Sequence, residues 1–166
     1  MNFIGALSDN NYLCIYNMIY IAHRGNINGP NQELENEPNY LLEAIHLGFH
    51  VETDLWYIDD ILYLGHDQPT YTVTADFLND NKTMIFCHCK NLQAMFFLLK
   101  HYPDVECFYH SNDKYVLTSN RHIWNYIDSE LTELSICVLP EKNGQYLIKC
   151  YGVCTDYPIL YKNNSL

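Results

Sequence analysis

Residues 49–67 read FHVETDLWYIDDILYLGHD, and the reading of this stretch decides the fold. Phe49 to Tyr57 alternates in the two-residue period of a half-buried strand. Asp59-Asp60 makes a tight turn, and Ile61 to Leu64 returns as the second arm of a hairpin-like extension that ends in Gly65-His66-Asp67. Residues two apart in a strand share a face, so Glu52 and Asp54 project together with Cα atoms ~6.6 Å apart. Two carboxylates converging on one side are costly unless a cation sits between them, and hard oxygen ligands favour Mg2+ or Ca2+.

Upstream, NMIYIAH (17–23) is short, apolar and β-branched, a buried strand that stops at a polar RGN turn. A loop rich in Asn, Gly and Pro follows. PNYLLEAIHLG (38–48) then carries helical spacing, with Pro38 at its start and Gly48 as its stop. Downstream come a short helix at TADFLND (74–80), a strand at TMIFCHCKN (83–91) and an amphipathic helix at LQAMFFLLKHY (92–102). Beyond Pro103 the pattern changes to closely spaced strand-like runs: VECFYH (105–110), YVLTS (115–119), HIWNY (122–126), LSICVL (134–139) and YGVCTD (151–156).

Eight candidate strands predict an α/β fold over residues 1–166 as a single domain. The expected architecture is a compact (β/α)8 TIM-type barrel with reduced helices in the second half. Parallel neighbours need crossovers of a dozen or more residues, which the second half does not supply, so a mixed or incomplete barrel is the alternative.

The formal net charge of −11 disfavours a nucleic-acid groove or an anionic membrane surface, since both require a basic face. It leaves room for a small phosphorylated substrate, because one bound cation and two basic side chains reverse the field locally. No apolar run approaches the ~20 residues of a membrane span. The stretch MNFIGALSDNNYLCIYN (1–17) lacks the basic start of a secretion signal. Seven cysteines without such a signal read as reduced thiols in a cytoplasmic setting. Most lie in apolar strand-like runs as small hydrophobes, and parity places Cys87 and Cys89 opposite His88 and Lys90. A zinc site from Cys87, Cys89, Cys150 and Cys154 is the competing reading, against which stands the absence of any C-x-x-C pair.

His23 and His66 follow strand-like runs, where barrel chemistry sits, and imidazole is suited to proton transfer near neutral pH. Arg24 offers the planar fork that matches a phosphate. The run of motifs is His23-Arg24-Gly25, Glu35-Asn36, Glu52-Thr53-Asp54 and His66-Asp67. In this order the sequence resembles the glycerophosphodiester phosphodiesterase family, which shares its barrel with phosphatidylinositol-specific phospholipase C. A further family motif, a metal-ligating Glu two residues before a Lys, falls on His88-Cys89-Lys90, and the family's closing T-D is similar to Thr155-Asp156. CHCKN, FYHSND, LTS and VLPE are similar to the strand motifs of a short branch of that family.

The resemblance implies metal-dependent hydrolysis of a small phosphodiester, with His23 and His66 as the acid–base pair and a cyclic phosphate as intermediate. Glu52, Asp54 and His88 would hold a divalent metal, and Arg24 and Lys90 would bind substrate. With His88 in place of a carboxylate the site should bind Mg2+ or Ca2+ less tightly and accept Mn2+ more readily. In the alternative, His88 hydrogen-bonds a carboxylate without touching the metal. A barrel that binds a phosphorylated ligand without turnover, and a lyase that releases the cyclic product, also remain open.

Overall fold

The computed structural model describes residues 18–126, 128–142, 144 and 150–164. Cys14 and the stretch 1–17 lie outside them. Ten strands form one sheet. β1 (Ile19–His23), β2 (His50–Ile58), β3 (Ile61–Leu64) and β4 (Tyr71–Val73) come first, followed by β5 (Ile85–Cys89) and β6 (Glu106–Phe108). β7 (Tyr115–Leu117), β8 (Ile123–Asn125), β9 (Ser135–Val138) and β10 (Gly152–Thr155) complete it. The helices are α1 (Pro38–His46), α2 (Ala75–Asp80), α3 (Leu92–His101) and α4 (Pro158–Asn164).

The expected (β/α)8 barrel is not what forms. The sheet is a curled half-barrel with the parallel order β6-β5-β2-β1-β10-β9-β8. β7 pairs antiparallel with β8, while β3 and β4 extend β2 as an antiparallel meander. Seven of the eight expected runs are parallel strands. YVLTS is the antiparallel β7, and β4 is a strand that the sequence reading passed over. Among the described residues no α-helix separates β6 from β10. The connections from β6 to β9 are too short to wrap a helical layer, and a 3-10 turn at Pro140–Lys142 lies between β9 and β10.

Alternation sorts side chains to the two faces. Val51, Ile85, Cys87, Cys89 and Cys107 pack with Leu41 and Ala44 of α1, Leu78 of α2 and Leu98 of α3. Ile21, Phe86, Phe108, Trp124, Ile136 and Cys154 fill the face inside the curl. The expected outward placement of Cys87 and Cys89 therefore holds, and both are free buried thiols.

Local signals account for the helices. Glu37, Thr74 and Asn91 each accept a backbone N–H as N-caps of α1, α2 and α3. Pro38 sits in the first turn of α1, where a missing N–H costs nothing. No helix among the described residues is long and apolar enough to cross a membrane.

β6 and β8 are not joined by a ladder. Their gap is bridged by Ser119 N–H donating to Cys107 O at 2.8 Å, by Thr118 Oγ1 and His122 Nδ1 on Glu106, and by Phe108 stacked on Trp124 at 4.4 Å.

Candidate active site

The carboxyl ends of the parallel strands carry the predicted residues into one place. Inward parity on β2 presents Glu52 and Asp54, and on β5 presents His88, with Lys90 just beyond the strand end. His23 ends β1 in register with Glu52, and Asp54 is in register with His88. His66 arrives by another route. β3 runs back along β2, pairing Leu64 with Leu55, and Gly65 N–H donates to Asp54 O at 3.0 Å. The antiparallel arm thus returns His66 to the level of Asp54. Gly65 has φ +145 and its added Cβ would strike Gln68 O, so the turn needs glycine.

His23, Arg24, Glu52, His66, His88 and Lys90 line one cavity of about 490 Å3, together with His110, Ser111, Tyr126 and Lys142. A second cavity of about 400 Å3 shares Arg24 and His66 with it.

Asp54 is the hub. It is fully buried, and His66 Nδ1, His88 Nδ1 and Lys90 Nζ lie 3.0, 3.0 and 3.3 Å from its oxygens. Asn36 Nδ2 donates to it at 3.1 Å, and Arg24 Nε lies 3.1 Å away as an ion pair not aligned for a hydrogen bond. Burial alone would raise the Asp54 pKa. The bonds from His66 and His88 and the charges of Arg24 and Lys90 outweigh it and hold this carboxyl well below the usual range.

Glu52 moves the other way, raised by burial and by the Asp54 charge. It accepts one long bond from Arg24 N–H at 3.2 Å. Glu52, Asp54 and His88 each offer a ligand atom, all within 4.8 Å of one another. A buried carboxylate with so little compensation, a second carboxylate and an imidazole form a group that could hold a divalent cation. His88 Nδ1 is 3.0 Å from Asp54 Oδ1 and 4.0 Å from Glu52 Oε1, turned inward between them.

His23 is anchored from behind by a residue read from the sequence only as a closing Thr-Asp. Its Nδ1 is 2.8 Å from Asp156 Oδ1, leaving Nε2 for the cavity. Burial lowers the His23 pKa, but the Asp156 bond and the Glu52 charge raise it further, and the net shift is upward. Asn26, which the sequence reading did not single out, donates to Asp156 Oδ1 and Glu35 Oε1 and so ties β1 to β10.

Arg24 has φ 51 and donates from Nη1 to Glu35 Oε2 at 2.9 Å. Its Nη2 lies 2.7 Å from His66 Nδ1. That nitrogen accepts from Arg24 when bare and donates to Asp54 when protonated, so the proton decides which neighbour holds the ring. Asn36 accepts from Thr53 Oγ1 and Asp54 N–H, both at 2.8 Å, and fixes this part of β2. His110, at the cavity wall after β6, was not assigned from sequence. The signal available was the two-residue alternation of Glu106, Phe108 and His110.

Among the described residues no cysteine joins a group of candidate metal ligands. Cys87 and Cys89 pack under the helices, while Cys154 lies inside the curl. No protein-family model, curated protein or solved structure matches this chain.

Proposed function

We propose that the chain is a metal-assisted phosphodiesterase acting on small phosphodiesters of the glycerophosphodiester kind. The observation that carries this reading is one cavity lined by two imidazoles in different settings. His23 is backed by Asp156, and His66 stands between Arg24 and Asp54, beside a Glu52–Asp54–His88 donor set. The sequence resemblance rests on the same residues. Cavity size favours a small diester, since a space of about 490 Å3 falls in the lower part of the usual ligand range.

Glu52, Asp54 and His88 would hold Mg2+, Ca2+ or Mn2+, which when bound would offset negative charge on phosphoryl oxygens. Arg24 and Lys90 supply the chain's own positive charge to the same oxygens. One imidazole takes the proton of a substrate hydroxyl as its oxygen bonds to phosphorus, and the other protonates the departing alcohol. The product of that step is a cyclic phosphate. Water then opens the ring with the two imidazoles in exchanged roles. Asp156 stabilises the His23 imidazolium whenever it forms, as a carboxylate behind a catalytic histidine does.

Turnover of a glycerol aryl phosphodiester, whose free hydroxyl can attack the phosphorus and whose aryl alcohol departs, with and without Mg2+, Ca2+ or Mn2+ tests this, with phosphorus NMR of the products. Expected is metal-dependent turnover that falls ~10²- to 10⁴-fold in His23→Ala and in His66→Ala, both still folded. Accumulation of cyclic phosphate alone would identify a lyase. Ligand binding without turnover under every metal would sink the enzymatic reading.

A further inference from the structure

Four imidazoles line the cavity, and three are held by carboxylates: His23 by Asp156, and His66 and His88 by Asp54. His110 is the exception. Its ring lies flat on His88, with centroids 4.7 Å apart and planes 10° apart, and His88 in turn stacks on Phe108 at 5.0 Å. Ring contacts fix the plane of His110 without using its nitrogens. Neither nitrogen has a hydrogen-bond partner among the described residues, and Nδ1 is enclosed. Nε2 is therefore the nitrogen offered to the cavity. With Nδ1 enclosed and the ring plane fixed by stacking, Nε2 is the one His110 nitrogen open to a partner from outside the chain.

The neighbourhood indicates which partner. Lys90 lines the same cavity, with its Nζ 3.3 Å from Asp54 Oδ1 and 3.4 Å from His66 Nδ1. A donor sharing a wall with an ammonium group suits an anionic oxygen better than a neutral hydroxyl.

We propose that His110 is a substrate-contact residue whose Nε2–H donates to a phosphoryl oxygen on the β6 side of the cavity. This deepens the phosphodiesterase reading and rests on it.

Two substitutions separate contact from packing. His110→Phe keeps a flat ring on His88 and removes both nitrogens, whereas His110→Ala removes the stack as well. His110→Phe should raise KM for an aryl phosphodiester about 10- to 100-fold, the loss of one hydrogen bond to a charged oxygen, with Mg2+ affinity unchanged. His110→Ala should weaken Mg2+ binding too, because His88 then keeps only one of its two stacking contacts. In the wild-type protein with Mg2+, the His110 ring resonances should shift as inorganic phosphate is added. A His110→Phe variant with wild-type KM and kcat would overturn the assignment, and so would a His110 resonance unmoved by saturating phosphate. Should the wild type turn over no phosphodiester, the enzymatic reading fails, while the phosphate titration still decides whether His110 meets the anion.

Discussion

Glu106 Oε1 and His122 Nδ1 lie 2.6 Å apart across the gap between β6 and β8 that no strand ladder closes. Glu106 is buried, and the same oxygen accepts from Thr118 Oγ1 at 2.5 Å. Side chains thus join edges that share no strand ladder, alongside the Ser119 N–H to Cys107 O bond, at the amino end of the strands, opposite the candidate active site. Removing one member of a buried pair strands the other, at a cost on the order of 3 kcal/mol. Glu106→Ala should therefore lower stability by about that amount in urea unfolding. Glu106→Gln, which still accepts from Thr118, should cost less. Equal stability of Glu106→Ala and wild type would show that the seam does not depend on this pair.

His50 opens a second test in the same region. Burial lowers its pKa from 6.5, and the Glu106 charge offsets only part of that shift. The folded state then binds a proton less readily than the unfolded state. The neutral ring's contribution is fully present above pH 6.5 and is lost as pH falls through the lower folded value. Between pH 7.5 and 5, wild type should lose more stability than His50→Gln, as read from urea midpoints. Parallel curves would remove His50 from the acid response.

Asp156 should matter to catalysis through His23. It orients the His23 ring by one hydrogen bond and is not part of the Glu52–Asp54–His88 group. Asp156→Asn should lower kcat ~10²-fold or more with KM little changed, since it removes the carboxylate that stabilises the imidazolium. A fall in KM-controlled binding with kcat intact would contradict the positioning role.

Gly65 governs His66. An alanine there would meet Gln68 O and Thr70 Oγ1 at a φ that disfavours any side chain. Gly65→Ala should reduce turnover toward the level of His66→Ala while the His23 ring resonances stay in place. Wild-type activity would show that the turn can be rebuilt without moving His66.

His88→Glu places a third carboxylate beside Glu52 and Asp54. It should tighten Mg2+ binding in calorimetric titration and shift preference away from Mn2+, because the donor set becomes harder and more negative. Unchanged metal affinity in this variant and in His88→Ala would leave His88 as a hydrogen-bond partner of Asp54 alone.

Much of the candidate site was legible because strand parity is a local rule. Glu52 and Asp54 had to share a face, His88 and Lys90 had to oppose Cys87 and Cys89, and the hairpin after Ile58 had to bring the chain back. Each follows from the geometry of a single strand or turn. The start of α1 at Pro38 and its stop at Gly48 belong to the same class.

What remained illegible depends on which strands become neighbours. The run YVLTS has the composition of a barrel strand, and only its antiparallel pairing with β8 removes it from the parallel set. Asp156 reaches His23, 133 positions earlier in the chain, only because β10 docks beside β1. His110 enters the cavity because β6 pairs with β5 and stacks its rings on His88. The sequence by itself determined every strand but the short β4, their two-faced patterning and the chemistry gathered at their ends, since these rest on contacts within a few residues. The tertiary structure decided the half-barrel, its ladder-free seam and the fourth imidazole, because pairing partners are selected by packing the whole sheet and no local preference encodes them.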